Sequence, residues 1–131
     1  MAESSFATTA VPQVVQTYLN AWKHKDAEAM GRCVHAGLSF RGPMSESQGR
    51  DAFVEGSKRM FPLLREHWLR SILASSDQAM FTYDFVCAEP VGVCRTAEAV
   101  TVKDGLIGSV EIFFDARPFE KLMQAQGSPR T

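Results

Sequence analysis

The chain has 131 residues, 45% of them hydrophobic, enough for one soluble domain with a single core and too few for a second. Fourteen Lys and Arg against 15 Asp and Glu give a net charge of -1, so overall charge offers no support for binding nucleic acid or an anionic membrane. No run approaches the ~18 apolar residues of a membrane span, and MAESSFATTA lacks the basic and apolar regions of a secretory signal, which makes the cytoplasm the expected compartment.

Residues 1–10 are small and polar and read as a flexible N-terminus, followed by one domain over 11–124 and a tail over 125–131. From Pro12 the spacing predicts a helix with Val14, Val15, Tyr18, Leu19 and Trp22 on one stripe, Thr8 or Thr9 being possible caps. Tyr18 carries the only hydroxyl on that stripe, and it either points into a site or serves a backbone carbonyl. Lys23-His24-Lys25 closes this helix, and Asp26 caps a second, short one to about Val34. A short strand, Leu38 to Arg41, ends at Gly42-Pro43. After the polar loop Ser45 to Gly49, a third helix from about Arg50 to Phe61 presents Phe53 and Phe61 inward and stops at Pro62.

Beyond a charged connector, Trp68 to Ala74 has strand character. Phe81, Tyr83, Phe85 and Cys87 then alternate along a strand with an aromatic face. The turn Ala88 to Gly92 follows, and Cys87 and Cys94 could oppose each other across it, in which case Tyr83 opposes Glu98. In a reducing compartment both are expected as free thiols. Neither they nor Cys33 form a CxxC pair or have a His at ligand spacing, so no metal site is expected.

Residues 94–115 read as two long strands joined at Lys103-Asp104-Gly105. A three-residue loop puts Val102 opposite Leu106 and Glu98 opposite Val110, whereas a two-residue Asp-Gly turn sets Glu98 against Glu111, a disfavoured like-charge pair. One face then carries Thr96, Glu98, Val100, Val102, Val110, Ile112 and Phe114, apolar except for Glu98. A lone carboxyl on a buried face has its pKa raised by desolvation unless an Arg neutralises it or the edge is wet. Glu98 is therefore the leading candidate residue. After Asp115, the segment Arg117 to Met123 reads as a short terminal helix.

Helices first and antiparallel strands after them predict an α+β fold, a curved, mostly antiparallel sheet around three helices with a conical, aromatic-lined cavity. The segments VVQTYLNAWKHKDAEAM, SFRGP and TAEAVTVKDGLIGSVEIFFDARPF resemble the nuclear transport factor 2-like superfamily, in its SnoaL-like and ketosteroid isomerase-like branch, over about residues 11 to 120. The resemblance implies a cone-shaped α+β barrel of cystatin-like type and a cofactor-independent small-molecule enzyme, or else a non-catalytic binding or dimerisation module. By position, Tyr18 and Glu98 resemble the tyrosine and the protonated acid that stabilise the enolate in ketosteroid isomerase, where the carboxyl stays neutral and donates a hydrogen bond. The isomerase base falls at Gly42, where no carboxylate stands. Asp115 resembles an acid used by cyclases and epoxide hydrolases, but it faces inward only if a bulge follows Phe113 or Phe114, and otherwise caps the last helix.

The expected reaction is isomerisation, cyclisation or dehydration of an apolar carbonyl compound such as a polyketide, terpenoid or steroid-like ring. Glu98, Tyr18 and Asp115 are the catalytic candidates. Trp22, Arg41, Phe53, Phe61, Trp68, Phe81, Tyr83, Phe85, Val100, Val110, Ile112 and Phe114 are the expected lining, Arg41 for an anionic group or else as a surface residue. The outward sheet face, with Val86, Ala97, Ala99 and Phe113, is apolar enough to predict a homodimer.

Overall fold

The computed structural model describes residues 11–127; the expected N-terminal flexibility, the Thr8 and Thr9 caps and the end of the tail lie outside them. Pro12, which has no N–H to leave unpaired, forms the N-cap of α1 (Gln13–His24), and the chain leaves that helix through Lys25 in the left-handed conformation. Val15, Tyr18 and Ala21 are the buried stripe. The Asp26 carboxylate then accepts from the Ala29 N–H at 3.0 Å and starts α2 (Ala27–Cys33), as its sequence position predicts. α3 (Arg50–Met60) runs into a 3₁₀ turn at Phe61–Leu63, where Pro62 ends the α-helix, and α4 (Arg117–Gly127) is longer than the expected terminal helix and extends into the tail.

Six strands form one open sheet in the order β2-β1-β6-β5-β4-β3: β1 (Val34–Arg41), β2 (Glu46–Gln48), β3 (Leu64–Ala74), β4 (Gln78–Cys87), β5 (Val93–Lys103) and β6 (Leu106–Phe113). All neighbours are antiparallel except β1 and β6, so the sheet is mixed, and the four helices among the described residues accompany a curved sheet that does not close. The α+β class stands, with three differences in the strands. β2 arises from the segment read as a polar loop, β1 starts four residues early, and the charged connector is the first half of β3.

The hairpin at the heart of the sheet turns on two residues. Asp104 and Gly105 have φ of 54° and 77°, the mirror-image turn whose twist suits two strands, and Lys103 pairs with Leu106. Continued unchanged, that register sets Glu98 against Glu111. Instead the ladder slips between Thr101 and Val102, leaving Gly108 as an extra residue, and Val100 pairs with Val110 and Glu98 with Ile112. A Cβ at Gly108 would lie 2.9 Å from the Lys103 Cβ, which explains the glycine. The expected three-residue loop is thus incorrect, although the assignment of faces survives because the bulge restores the parity.

On the other side β4 and β5 pair with Phe81 opposite Glu98 and Tyr83 opposite Thr96. Cys94 faces Phe85 rather than Cys87, and all three cysteines are free and buried. Among the described residues no helix is long and apolar enough to cross a membrane.

Candidate functional site

Glu98 is 2% exposed, and α1 and β4 each supply it a phenol. The Tyr83 hydroxyl donates to Oε1 at 2.7 Å, and the Tyr18 hydroxyl donates to Oε2. Tyr83 reaches the carboxyl diagonally, from one row along the sheet. Among the described residues Glu98 joins no ion pair, so phenols and not a cation accompany it. Burial pushes its pKa up to about 7, against the opposing hydrogen bonds of Tyr18 and Tyr83. Burial, reinforced by the Glu98 charge, pushes both phenols well above their ordinary range, so they remain donors.

Two interior groups add to this cluster. The imidazole of His67, buried on β3, stacks on Tyr83 with ring centres 4.2 Å apart and planes 20° from parallel. Burial lowers its pKa to about 4, which keeps it neutral near pH 7. The sequence hid His67 because β3 slips between Leu64 and Glu66, breaking the alternation that would have marked it. Trp22 sits one turn after Tyr18 on α1, edge-on to Phe61 at 5.4 Å and to Phe85 at 5.8 Å. Its Nε1 is buried and has no hydrogen-bond partner among the described residues.

Aromatic packing fills the rest. Phe53 stacks on Tyr18 at 6.2 Å, Phe81 lies 6.0 Å from Tyr83, Val100 and Val110 are buried, and Ile112 is partly buried against them. Phe114 turns its face to Phe119 of α4, 5.4 Å away. Three sequence candidates lie elsewhere. Asp115 follows the end of β6 and is exposed. It accepts from the Arg117 N–H at 3.0 Å and from the Arg117 guanidinium at 2.9 and 2.8 Å, and those bonds hold its pKa down to about 2. The strand ends before the bulge that would have turned Asp115 inward. Arg41 is exposed and pairs with Glu46 at 3.4 Å. Trp68 is 52% exposed on the outer face, donating to Glu66 at 2.8 Å, because a second slip in β3, between Leu69 and Ser71, reverses its side.

The structure also explains the missing base. A Cβ at Gly42 would stand 3.1 Å from Phe40 and 3.2 Å from Ile112, so a side chain here would crowd both and require them to shift by a few tenths of an ångström. Of two prominent concavities, one of about 660 Å³ lies on the outer face beside Arg70, Asp84, Arg95 and Phe113, and one of about 240 Å³ lies beside Arg41, Gly42 and Phe114. Neither is lined by Tyr18 or Glu98.

The family profile described as the SnoaL-like domain matches residues 15–110, a stretch running from α1 through β6. The chain belongs to the SnoaL-like family. A solved protein from Kribbella flavida DSM 17836 superposes with a TM-score of 0.82 at 29% identity, covering 92% of this chain and 99% of that one. Two further structures share the fold at lower identity. A protein from the same organism, provisionally named a ketosteroid isomerase, has a TM-score of 0.71 at 14% identity over 79% of this chain and 76% of its own. An epoxide hydrolase from M. tuberculosis has 0.68 at 18% over 88% and 90%. No curated protein matches this SnoaL-like chain by sequence.

Proposed function

We propose that this SnoaL-like protein is a cofactor-independent enzyme that moves protons on an apolar carbonyl compound, such as a polyketide, terpenoid or steroid-like ring. The observation that carries this reading is a fully buried carboxyl poised at about 7 and held by two phenols with no cation. Both phenol protons are committed to Glu98, and Asp115 and Gly42 supply no interior carboxylate, so Glu98 is the base as well as the acid. In its ionised form it takes a hydrogen next to the carbonyl as a proton. On a ketone with a carbon–carbon double bond one carbon further along, the C–H electron pair moves toward the carbonyl oxygen as a dienolate, and Glu98 returns the proton to the far carbon of that double bond as the bond shifts into conjugation, which isomerises the molecule. Tyr18 and Tyr83 position the carboxyl and share its negative charge. The name of the isomerase neighbour fits this chemistry, and three free thiols fit a reducing compartment such as the cytoplasm.

The test is exchange of the α-hydrogens of cyclohexanone in D₂O, followed by NMR. Exchange should exceed that in buffer, rise with pH through about 7, and fall by roughly 100-fold in Glu98→Gln. Equal rates in the variant and the wild type would remove Glu98 from the chemistry. A second reading, a binding module without catalysis, draws on the two concavities that Glu98 does not line. Binding without exchange would favour it.

For a partner, we propose a second copy of the chain. Leu73, Met80 and Phe113, all more than half exposed, share the outer face with Trp68, and Ala97 and Ala99 lie between them. Light scattering showing a monomer at micromolar concentration would defeat this assignment.

A further inference from the structure

A count of interior donors singles out one group. Tyr18 and Tyr83 have one hydroxyl proton each, and both go to Glu98. Ser57 donates to the Phe53 carbonyl at 3.0 Å and Thr96 to the Cys94 carbonyl at 3.2 Å. The neutral His67 ring is stacked on Tyr83. The Trp22 Nε1–H remains, buried and without a partner among the described residues. Buried donors are almost always paired, so an orphan in a candidate site points to a ligand acceptor. Trp22 and Tyr18 are four residues apart on α1 and therefore on one side of the helix. The indole is near enough to lower the Tyr18 pKa, though outside hydrogen-bond geometry, so it stands beside the phenol that bonds Glu98.

We infer that the Trp22 indole N–H is the donor that holds the ligand's oxygen, which makes the ligand an uncharged acceptor such as a ketone. The inference rests on the reading of this interior as a ligand site. An anionic ligand would be repelled by Glu98, and a cationic one would offer the indole nothing to accept its proton. A neutral carbonyl satisfies the indole and places the carbons beside it against Phe61 and Phe85. The same bond strengthens as the oxygen gains charge, so Trp22 takes the donor role that Tyr18, bound to Glu98, does not fill.

The test uses ¹⁵N-labelled wild type and Trp22→Phe, each titrated with cyclohexanone and with methylcyclohexane, a close match in size that has no acceptor. The indole N–H signal lost in Trp22→Phe identifies Trp22. Cyclohexanone should move that signal downfield and bind about 3- to 10-fold tighter than methylcyclohexane, the worth of one neutral hydrogen bond. In Trp22→Phe this preference should vanish while methylcyclohexane still binds, which also shows that the variant is folded. A bound ketone that leaves the indole signal unmoved, or a preference retained in Trp22→Phe, overturns the inference. If the indole responds but no α-hydrogen exchange occurs, the donor assignment stands and the enzymatic reading falls. Glu98-dependent exchange with an unmoved indole has the opposite meaning. Failure of both probes to bind overturns both.

Discussion

β4 and β5 carry an acid on each face, and the two are handled differently. Inside, Glu98 is buried with two phenols and no cation. Outside, Asp84 meets the exposed Arg70 guanidinium, with Nε 3.0 Å from its Oδ2. The outer acid, its side chain 14% exposed, has a solvent-facing cation set against it. The inner carboxyl has no water to turn to, and its ionisation is borne by the folded state alone. A sheet one residue thick thus separates an acid matched by a cation from a group whose charge near neutral pH depends on the protein around it.

The largest test of that contrast is the pH dependence of stability. The folded protein holds the Glu98 proton up to about 7 and the unfolded chain loses it near 4.5, so stability from this group is fully present below 4.5 and declines as pH rises toward 7. The loss is on the order of 3 kcal/mol. Urea unfolding across this range should show that slope in the wild type and lose it in Glu98→Gln, which should be at least as stable as the wild type at pH 8. A smaller effect is expected from Tyr83→Phe, which removes one donor to the ionised carboxyl. It should cost about 2 kcal/mol at pH 8 and less at pH 5, and shift the exchange profile to higher pH. Gly42→Asp, which installs the absent base, should cost about 1–3 kcal/mol by crowding Phe40 and Ile112 and bring no gain in exchange. The smallest change belongs to the outer face. Asp84→Asn should leave the pH slope and the exchange rate as they are, and a changed slope in this variant would mean that the two faces are coupled.

How much of this could be read from the sequence depended on how far strict periodicity held. Tyr18 lay on a regular helical stripe, and Glu98 and Tyr83 on regularly alternating strands, so their common face was legible. The helix cap at Asp26 was equally plain. The exact partners were not. Gly108 shifts the hairpin, and the slips in β3 concealed His67 and sent Trp68 to the outside, because a bulge leaves no mark in composition and reverses every side chain beyond it. Nor did the sequence show that Trp22 would bring an unpaired N–H rather than only an apolar ring, since hydrogen-bond satisfaction is a property of the assembled interior.

The Gly108 bulge works in the sheet as a dislocation works in a lattice. Strand segments on its two sides are out of phase by one residue, so the tight turn at the tip and the acid row near the base each keep the alignment they require. Were Gly108 paired with Thr101 instead of bulged out, the ladder would run unbroken from Lys103 and bring the Glu111 backbone opposite Glu98. The defect in the ladder is therefore what keeps a second carboxylate out of the row that holds Glu98.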